Sequence, residues 1–368
     1  MRILFLTNHL NPGGISSYVF NLSLGLKKRS HKVFLASSGG GLLEKFQQEG
    51  VVYFSIPIRT KSEISPKILI SAFFLRKIII NEGIEVIHSN SRTTEVLAFL
   101  LGKLVKVRHV FTCHGFFRRN LSRKLFPCWP EKVIAVSSQV KEHLEKDFGL
   151  ESRRIALIPH GIDTKRFSPL TSWQKEQAKR RLNLNNQPVV GILARLCEIK
   201  GHFYLLKAMS EVLRSFPQAQ LLIAGEGPLR KKLEKMAEDL RIKENVFFVD
   251  NSIDSQEVLS ATDIFVLPSL QEGLGLALME AMSMGLAVIG SNVGGIKSLI
   301  QDRKNGLLVT SRNPFGLAEK IKMLLADKDT ALKLGDQARN FILENFSLSK
   351  MVYETEKVYE EVCNEAFL

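Results

Sequence analysis

Short, almost wholly apolar runs recur along the chain at 2–7, 32–36, 51–56, 86–88, 107–112, 133–136 and 155–158. They recur again at 189–194, 219–224, 246–249, 264–267, 287–289 and 306–309. They lack the strict alternation of a sheet wetted on one face and predict strands buried on both. Stretches with helical spacing lie between them, among them one from the Gly13-Gly14 turn to about Lys28. Strands alternating with helices predict a parallel, doubly wound sheet, and two such series predict two α/β domains. Residues 167–187 are polar and carry Pro169, Trp173, Asn183, Asn185 and Asn186, the composition of a linker and its approach to the second series. The division expected is 1–167 and 168–347, with 348–368 a charged amphipathic tail helix. The longest apolar run, 68–80, contains Arg76 and Lys77 and falls short of the ~18 residues a bilayer span needs. The first residues lack the apolar core and cleavage site of a secretory leader.

Composition narrows the class. A chain of 368 residues with 45% hydrophobic content has the make-up of two globular domains. Cys113, Cys128, Cys197 and Cys363 are scattered with no CxxC pair, which points to a reducing, cytoplasmic compartment and away from structural zinc. The net charge of +14 is lopsided: residues 1–165 hold 25 Lys and Arg against 12 Asp and Glu, and the remainder is nearly balanced. A basic first half suits an anionic partner there.

The unusual residues gather where predicted strands end, which is where open α/β sheets bind ligands. After the run 264–267 come Pro268 and Ser269, then Glu272-Gly273-Leu274-Gly275, then a helix expected from about Leu276 that carries Glu280. Glycines before a helix N-terminus make an anion site. Two carboxylates beside it suit a ligand with both phosphate and hydroxyls, such as a sugar nucleotide. Glu280 can accept from both ribose hydroxyls, and Glu272 from a sugar. Arg195 follows another strand and Lys200 precedes the next helix, so both can neutralise a departing diphosphate. Gly13-Gly14 let backbone approach phosphate, and the missing GxGxxG argues against a nicotinamide cofactor. His114 ends a strand in the first half, placed to bind a hydroxyl or move a proton. His160, in Pro159-His160-Gly161, has similar standing nearer the linker. No DxD pair stands at a strand end, so a metal-bridged diphosphate is not expected.

Together, Gly13-Gly14, His114, Pro159 to Asp163, Arg195 with Lys200-Gly201, and the Glu272-x7-Glu280 stretch make the chain resemble the retaining GT-B glycosyltransferases of glycosyltransferase family four. The resemblance runs nearly the whole length, and its most specific part is the glutamate pair. It implies a GT-B fold, two Rossmann-like domains facing a cleft, with the tail helix crossing back to the first. It implies that Glu280 holds the donor ribose and Glu272 the transferred sugar. The amides of Gly273, Leu274, Gly275 and Leu276 would take sugar and diphosphate, Arg195 and Lys200 the diphosphate, and the Gly14 loop would close on it. His114 would line the sugar pocket, with Gly225, Gly227 and Val249 framing the base. It further implies a UDP- or GDP-linked donor, no metal or cofactor, retention of anomeric configuration, and front-face attack with the leaving phosphate taking the acceptor proton. One departure is His160, where the family often has Asn.

The segment 116–129 reads as interfacial. Phe117, Leu121 and Leu125 make a helical stripe, with Arg118, Arg119, Arg123 and Lys124 off it. Four cations near an anionic surface contribute about 4 kcal/mol, only about millimolar binding. Phe116 or Trp129 would have to insert. This gives the leading expectation of a peripheral enzyme on the inner face of the cell membrane, acting on a lipid-linked or cell-surface glycan. The alternatives are a soluble glycosyltransferase with a small sugar acceptor, a GT-B sugar-nucleotide isomerase, and a non-catalytic nucleic-acid binder. The last leaves the Glu272 loop without a purpose, so no nucleic-acid partner is expected.

Overall fold

In a computed structural model the apolar runs become strands. The structure describes residues 1–60, 62–117, 127–250 and 252–364. In the first half these are β1 (Arg2–Leu6), β2 (Lys32–Ser37), β3 (Val52–Ser55), β4 (Val86–Ser89), β5 (Arg108–Cys113), β6 (Lys132–Ala135) and β7 (Ile155–Leu157). They form one parallel sheet in the order β3-β2-β1-β4-β5-β6-β7. In the second half β8 (Val189–Leu193), β9 (Gln220–Ala224), β10 (Val246–Val249), β11 (Ile264–Leu267), β12 (Ala287–Ser291) and β13 (Leu307–Val309) form another, ordered β10-β9-β8-β11-β12-β13. The expected α/β class, two Rossmann-like parallel-sheet domains, is what the chain adopts. Both strand orders reverse direction beside their first strand, between β1 and β4 and between β8 and β11. Crevices open at such switch points, at the carboxyl ends of the strands.

Each sheet has its own core. In the first, Leu4 is in register with Phe34 on one side and Ile87 on the other, and all three are fully buried. The helix Pro66–Glu82 places Ile68, Ala72, Leu75 and Ile79 on this core, a three-and-four spacing that selects one helical face. In the second, Val190, Ile192, Leu221, Ile223 and Val266 pack under the helices His202–Ser215 and Pro314–Ala326.

The described chain divides into two compact units, Met1–Gly161 with the segment from Leu348, and Ile162–Ser347. The helix Leu348–Asn364 lays Met351, Val352, Val358, Tyr359 and Val362 into the core of the first unit. It packs so closely on the helix Gly14–Lys28 that a Cβ on Gly25 would lie 2.2 Å from a Val352 methyl. Residues 162–167 belong with the second unit, held there by Arg166–Asp254 at 2.7 Å and by Ser283 Oγ donating to Phe167 O at 2.7 Å.

One expectation changes. The stretch 167–187 is no plain linker: it contains the helix Ser172–Arg181, started by a reciprocal Thr171–Gln174 cap. Only Ala178 and Lys179 of that helix are buried, too narrow a face for apolar spacing to reveal. The interfacial reading of the segment 116–129 rests mostly on residues that the structure does not describe. Residues 118–126, with Leu121, Leu125 and the four expected cations, lie outside the described residues. At its edges, Trp129 packs on Phe111 and Phe148, Phe117 on Phe111, and Phe116 on His143. Trp129 and Phe116 thus contribute to the first unit's own packing. No helix among the described residues is long and apolar enough to cross a membrane.

Candidate active site

At the switch point of the second sheet, the turn after β8 meets the loop after β11. Leu270 N donates to Ile199 O at 2.7 Å and joins the two backbones. Lys200 Nζ then reaches Glu272 Oε2 at 2.6 Å, and Ser269 Oγ donates to the same oxygen at 3.2 Å. Lys200 and Glu272 are 20% and 12% exposed, so each charge depends largely on the other. Beyond Glu272 the loop turns on Gly275, whose φ of +90° is a left-handed conformation suited to glycine, and opens the helix Leu276–Ser283. No side chain caps this helix start. Its first-turn amides are left without a side-chain partner, an arrangement that can accept an anion. Leu274 and Leu278 are buried and fix the loop from below. Arg195 is exposed at the end of β8, and its side chain makes no hydrogen bond or ion pair among the described residues.

The glycines expected around the base have a structural reason. A Cβ on Gly225 would sit 2.2 Å from Ala194 O, at a φ of +142°, and one on Gly227 would sit 2.3 Å from Leu196 O. Their loop lies directly on the turn that carries Arg195, with Gly225 N donating to Val249 O at 3.0 Å. Val249 is half-buried at the same rim.

Glu280 is 8% exposed, and burial pushes its carboxyl up to about 8. The Arg166 charge draws it back down and the Asp254 charge raises it further. Arg166 is itself bound by Asp254 through both carboxylate oxygens at 2.7 Å. Asp254 also caps the short helix Ser255–Ser260. The pattern of the chain gave no hint of Arg166 and Asp254, because 88 residues separate them. Also unforeseen were Gly294 and Gly295, which brace the Glu272 backbone, Gly295 N donating to Glu272 O at 3.0 Å. Their signal was the glycine pair following β12. His202 was missed as well: it is buried beside Lys200, and burial and the Lys200 charge pull its pKa to about 4.

The first unit has its own rim. Gly13 and Gly14 are exposed at the start of the helix Gly14–Lys28, and a Cβ on either would meet nothing within 4 Å. His114 is neutral, its pKa held well below the ordinary value by burial and by the His160 and His88 charges. Asn90 Nδ2 donates to His88 O at 3.2 Å, so Asn90 Oδ1 is the acceptor facing His114 Nε2 at 3.0 Å. His114 therefore carries its proton on Nε2, and its Nδ1 accepts from His160 Nε2 at 3.1 Å. With both nitrogens engaged, His114 is arranged to position rather than to take up a proton. Tyr18 packs edge-on against the His114 ring and tilted against the His160 ring, and its hydroxyl meets Thr112 at 3.2 Å. Thr112 bonds His88, and His88 bonds Tyr359 of the C-terminal helix at 2.5 Å.

Residues 12–166 match the family described as Glycosyltransferase Family 4, and residues 174–341 match the one described as Glycosyl transferases group 1. The chain is 26% identical over 349 residues to the UDP-Gal:alpha-D-GlcNAc-diphosphoundecaprenol alpha-1,3-galactosyltransferase of Escherichia coli, covering 91% of this chain and 90% of that protein. Its fold is similar to that of a glycosyltransferase from Rickettsia africae, with a TM-score of 0.88, 24% identity and 99% of each chain covered. It is also similar to Anabaena HepE, solved with UDP and glucose, with a TM-score of 0.86, 19% identity, and 98% of this chain and 100% of that one covered. The two matched regions and the two parallel sheets lead to one conclusion: the chain is a glycosyltransferase of the group 1, family 4 type.

Proposed function

We propose that the chain transfers a sugar from a nucleotide-sugar donor to a lipid-linked glycan, keeping the anomeric configuration and using no metal ion. The observation that carries the donor half is the Lys200–Glu272 pair set against the uncapped helix Leu276–Ser283. In the ligand-free state the lysine is held by the glutamate. A bound donor offers both a better partner: its diphosphate takes the Lys200 ammonium, and its sugar hydroxyls donate to Glu272. Arg195, without a partner in its own unit, adds a guanidinium fork to the same diphosphate. As the sugar–phosphate bond breaks, charge grows on the leaving oxygen, and these fixed cations and amides stabilise that state more than the ground state. Glu280 would accept the ribose hydroxyls. His114, locked by Asn90 and His160, would orient a donor hydroxyl.

UDP or GDP is the carrier proposed, and the lipid-linked acceptor is supported by the E. coli relative, whose acceptor is diphosphoundecaprenol-linked. Glu272→Ala and Lys200→Ala should each lower transfer more than tenfold, a loss above about 1.4 kcal/mol of transition-state stabilisation. The assay supplies UDP- or GDP-sugars with a polyprenyl-diphosphate sugar or with the free sugar as acceptor. Equal use of the free sugar would overturn the lipid-linked acceptor. Conversion of donor with no acceptor would point to isomerisation. Unchanged turnover in either variant would remove that residue from the site.

A further inference from the structure

The helix Pro66–Glu82 is apolar on both sides, and only one side is covered. While its inner face packs on the first sheet, Ile64, Leu69, Ile70, Phe73, Phe74 and Ile80 stand in solvent, Phe73 at 72% and Ile64 at 89% exposure. The neighbouring helix Arg92–Val105 packs beside it and extends the patch with Phe99 and Leu104. A surface helix normally turns polar residues outward, so a contiguous apolar face marks an interaction site.

The charges around the patch are mainly basic, its nearest acids, Glu63 and Glu82, being paired with Arg92 and Lys32. Residues 64–81 contain Lys67, Arg76 and Lys77 and no acid, and residues 96–106 contain Lys103 and Lys106 and no acid. We infer that this face docks the enzyme on an anionic phospholipid surface, the aromatic and aliphatic side chains entering the interface and the cations meeting headgroups. A second copy fits less well, because it would bring another mainly basic face against this one. The Ile64 end lies at the rim of the sheet: Asn8 Nδ2 donates to Thr60 O at 3.3 Å, and Glu63 pairs with Arg92 at 3.2 Å just past β4. The surface thus runs up to the carboxyl edge of the first sheet, where a lipid-borne substrate would be met. It is a different surface from the segment 116–129.

Flotation of the full chain tests this, without donor or acceptor, so the result stands apart from whether transfer occurs. Binding is expected to phosphatidylcholine–phosphatidylglycerol vesicles and not to phosphatidylcholine alone, and it should weaken with salt. Arg76→Gln with Lys77→Gln should lower it about thirtyfold, and Phe73→Ser with Phe74→Ser tenfold or more, with the thermal shift by UDP or GDP unchanged as a check on folding. As an independent readout, Phe73→Trp fluorescence should move to shorter wavelength on adding the anionic vesicles. Equal partition to neutral vesicles, or full retention by both double variants, overturns the inference. So does loss with Arg118→Gln and Arg119→Gln alone, or a dimer that the same helix substitutions disperse.

Discussion

At the scale of single residues, Glu280 sets a pH dependence. Its carboxyl sits at about 8 against an ordinary value of 4.5, so between these the native state holds a proton that the unfolded chain releases. The protein is therefore most stable, as far as this group goes, below about pH 4.5, and that contribution is lost as pH rises through about 8. Glu280→Gln removes the dependence. The melting temperature of the ligand-free variant should gain on the parent steadily between those values, and a constant difference would count against a protonated Glu280. Nucleotide affinity should move the other way: the parent should bind more tightly as Glu280 ionises, relative to the variant, if ribose hydroxyls donate to it. Of the candidate residues, Glu272, Glu280, Arg195 and Lys200 were legible because each stands in a short motif beside a strand end. Arg166 and Asp254 were not, because what makes them neighbours is the fold and not the order of residues. The same holds for the His114–His160 contact, 46 residues apart.

At the scale of elements, the loops are fitted to one another as closely as the strands. Gly225→Ala would drive a methyl group against Ala194 O and force a left-handed conformation on alanine. Strain of about 1–3 kcal/mol is expected, read as a lower denaturation midpoint, together with weaker nucleotide binding because Arg195 sits on the displaced turn. A variant as stable as the parent would show that the two loops do not bear on each other. The strands themselves were plain in the chain, since parallel strands buried on both faces give unbroken apolar runs. Helices were harder wherever both faces carry the same kind of residue. The run 68–80 is apolar all round, so its spacing could not say which side meets the core and which meets solvent. Ser172–Arg181 failed for the opposite reason, being polar nearly all round.

At the scale of the whole molecule, the first unit is assembled from both ends of the chain. Tyr359, fully buried, contributes its ring to the core and its hydroxyl to His88. Tyr359→Ala should destabilise this unit by about 3–5 kcal/mol, the range for losing a large buried aromatic. Amide exchange should rise in β1 and β4, and exchange rates there equal to the parent's would contradict the role given to the helix. That a tail helix exists was visible from its amphipathic spacing. Which core it completes depends on Gly25, Val352 and His88 coming together, and no local pattern encodes that. The arrangement also governs the order in which the protein can be made. A ribosome delivers Met1–Gly161 first, then all of Ile162–Ser347, and only then the helix Leu348–Asn364 that closes the first core. At ordinary rates of synthesis the interval is on the order of 10–40 s. For that time β1 to β7 wait with one flank uncovered, while the domain that begins second has everything it needs to finish folding first.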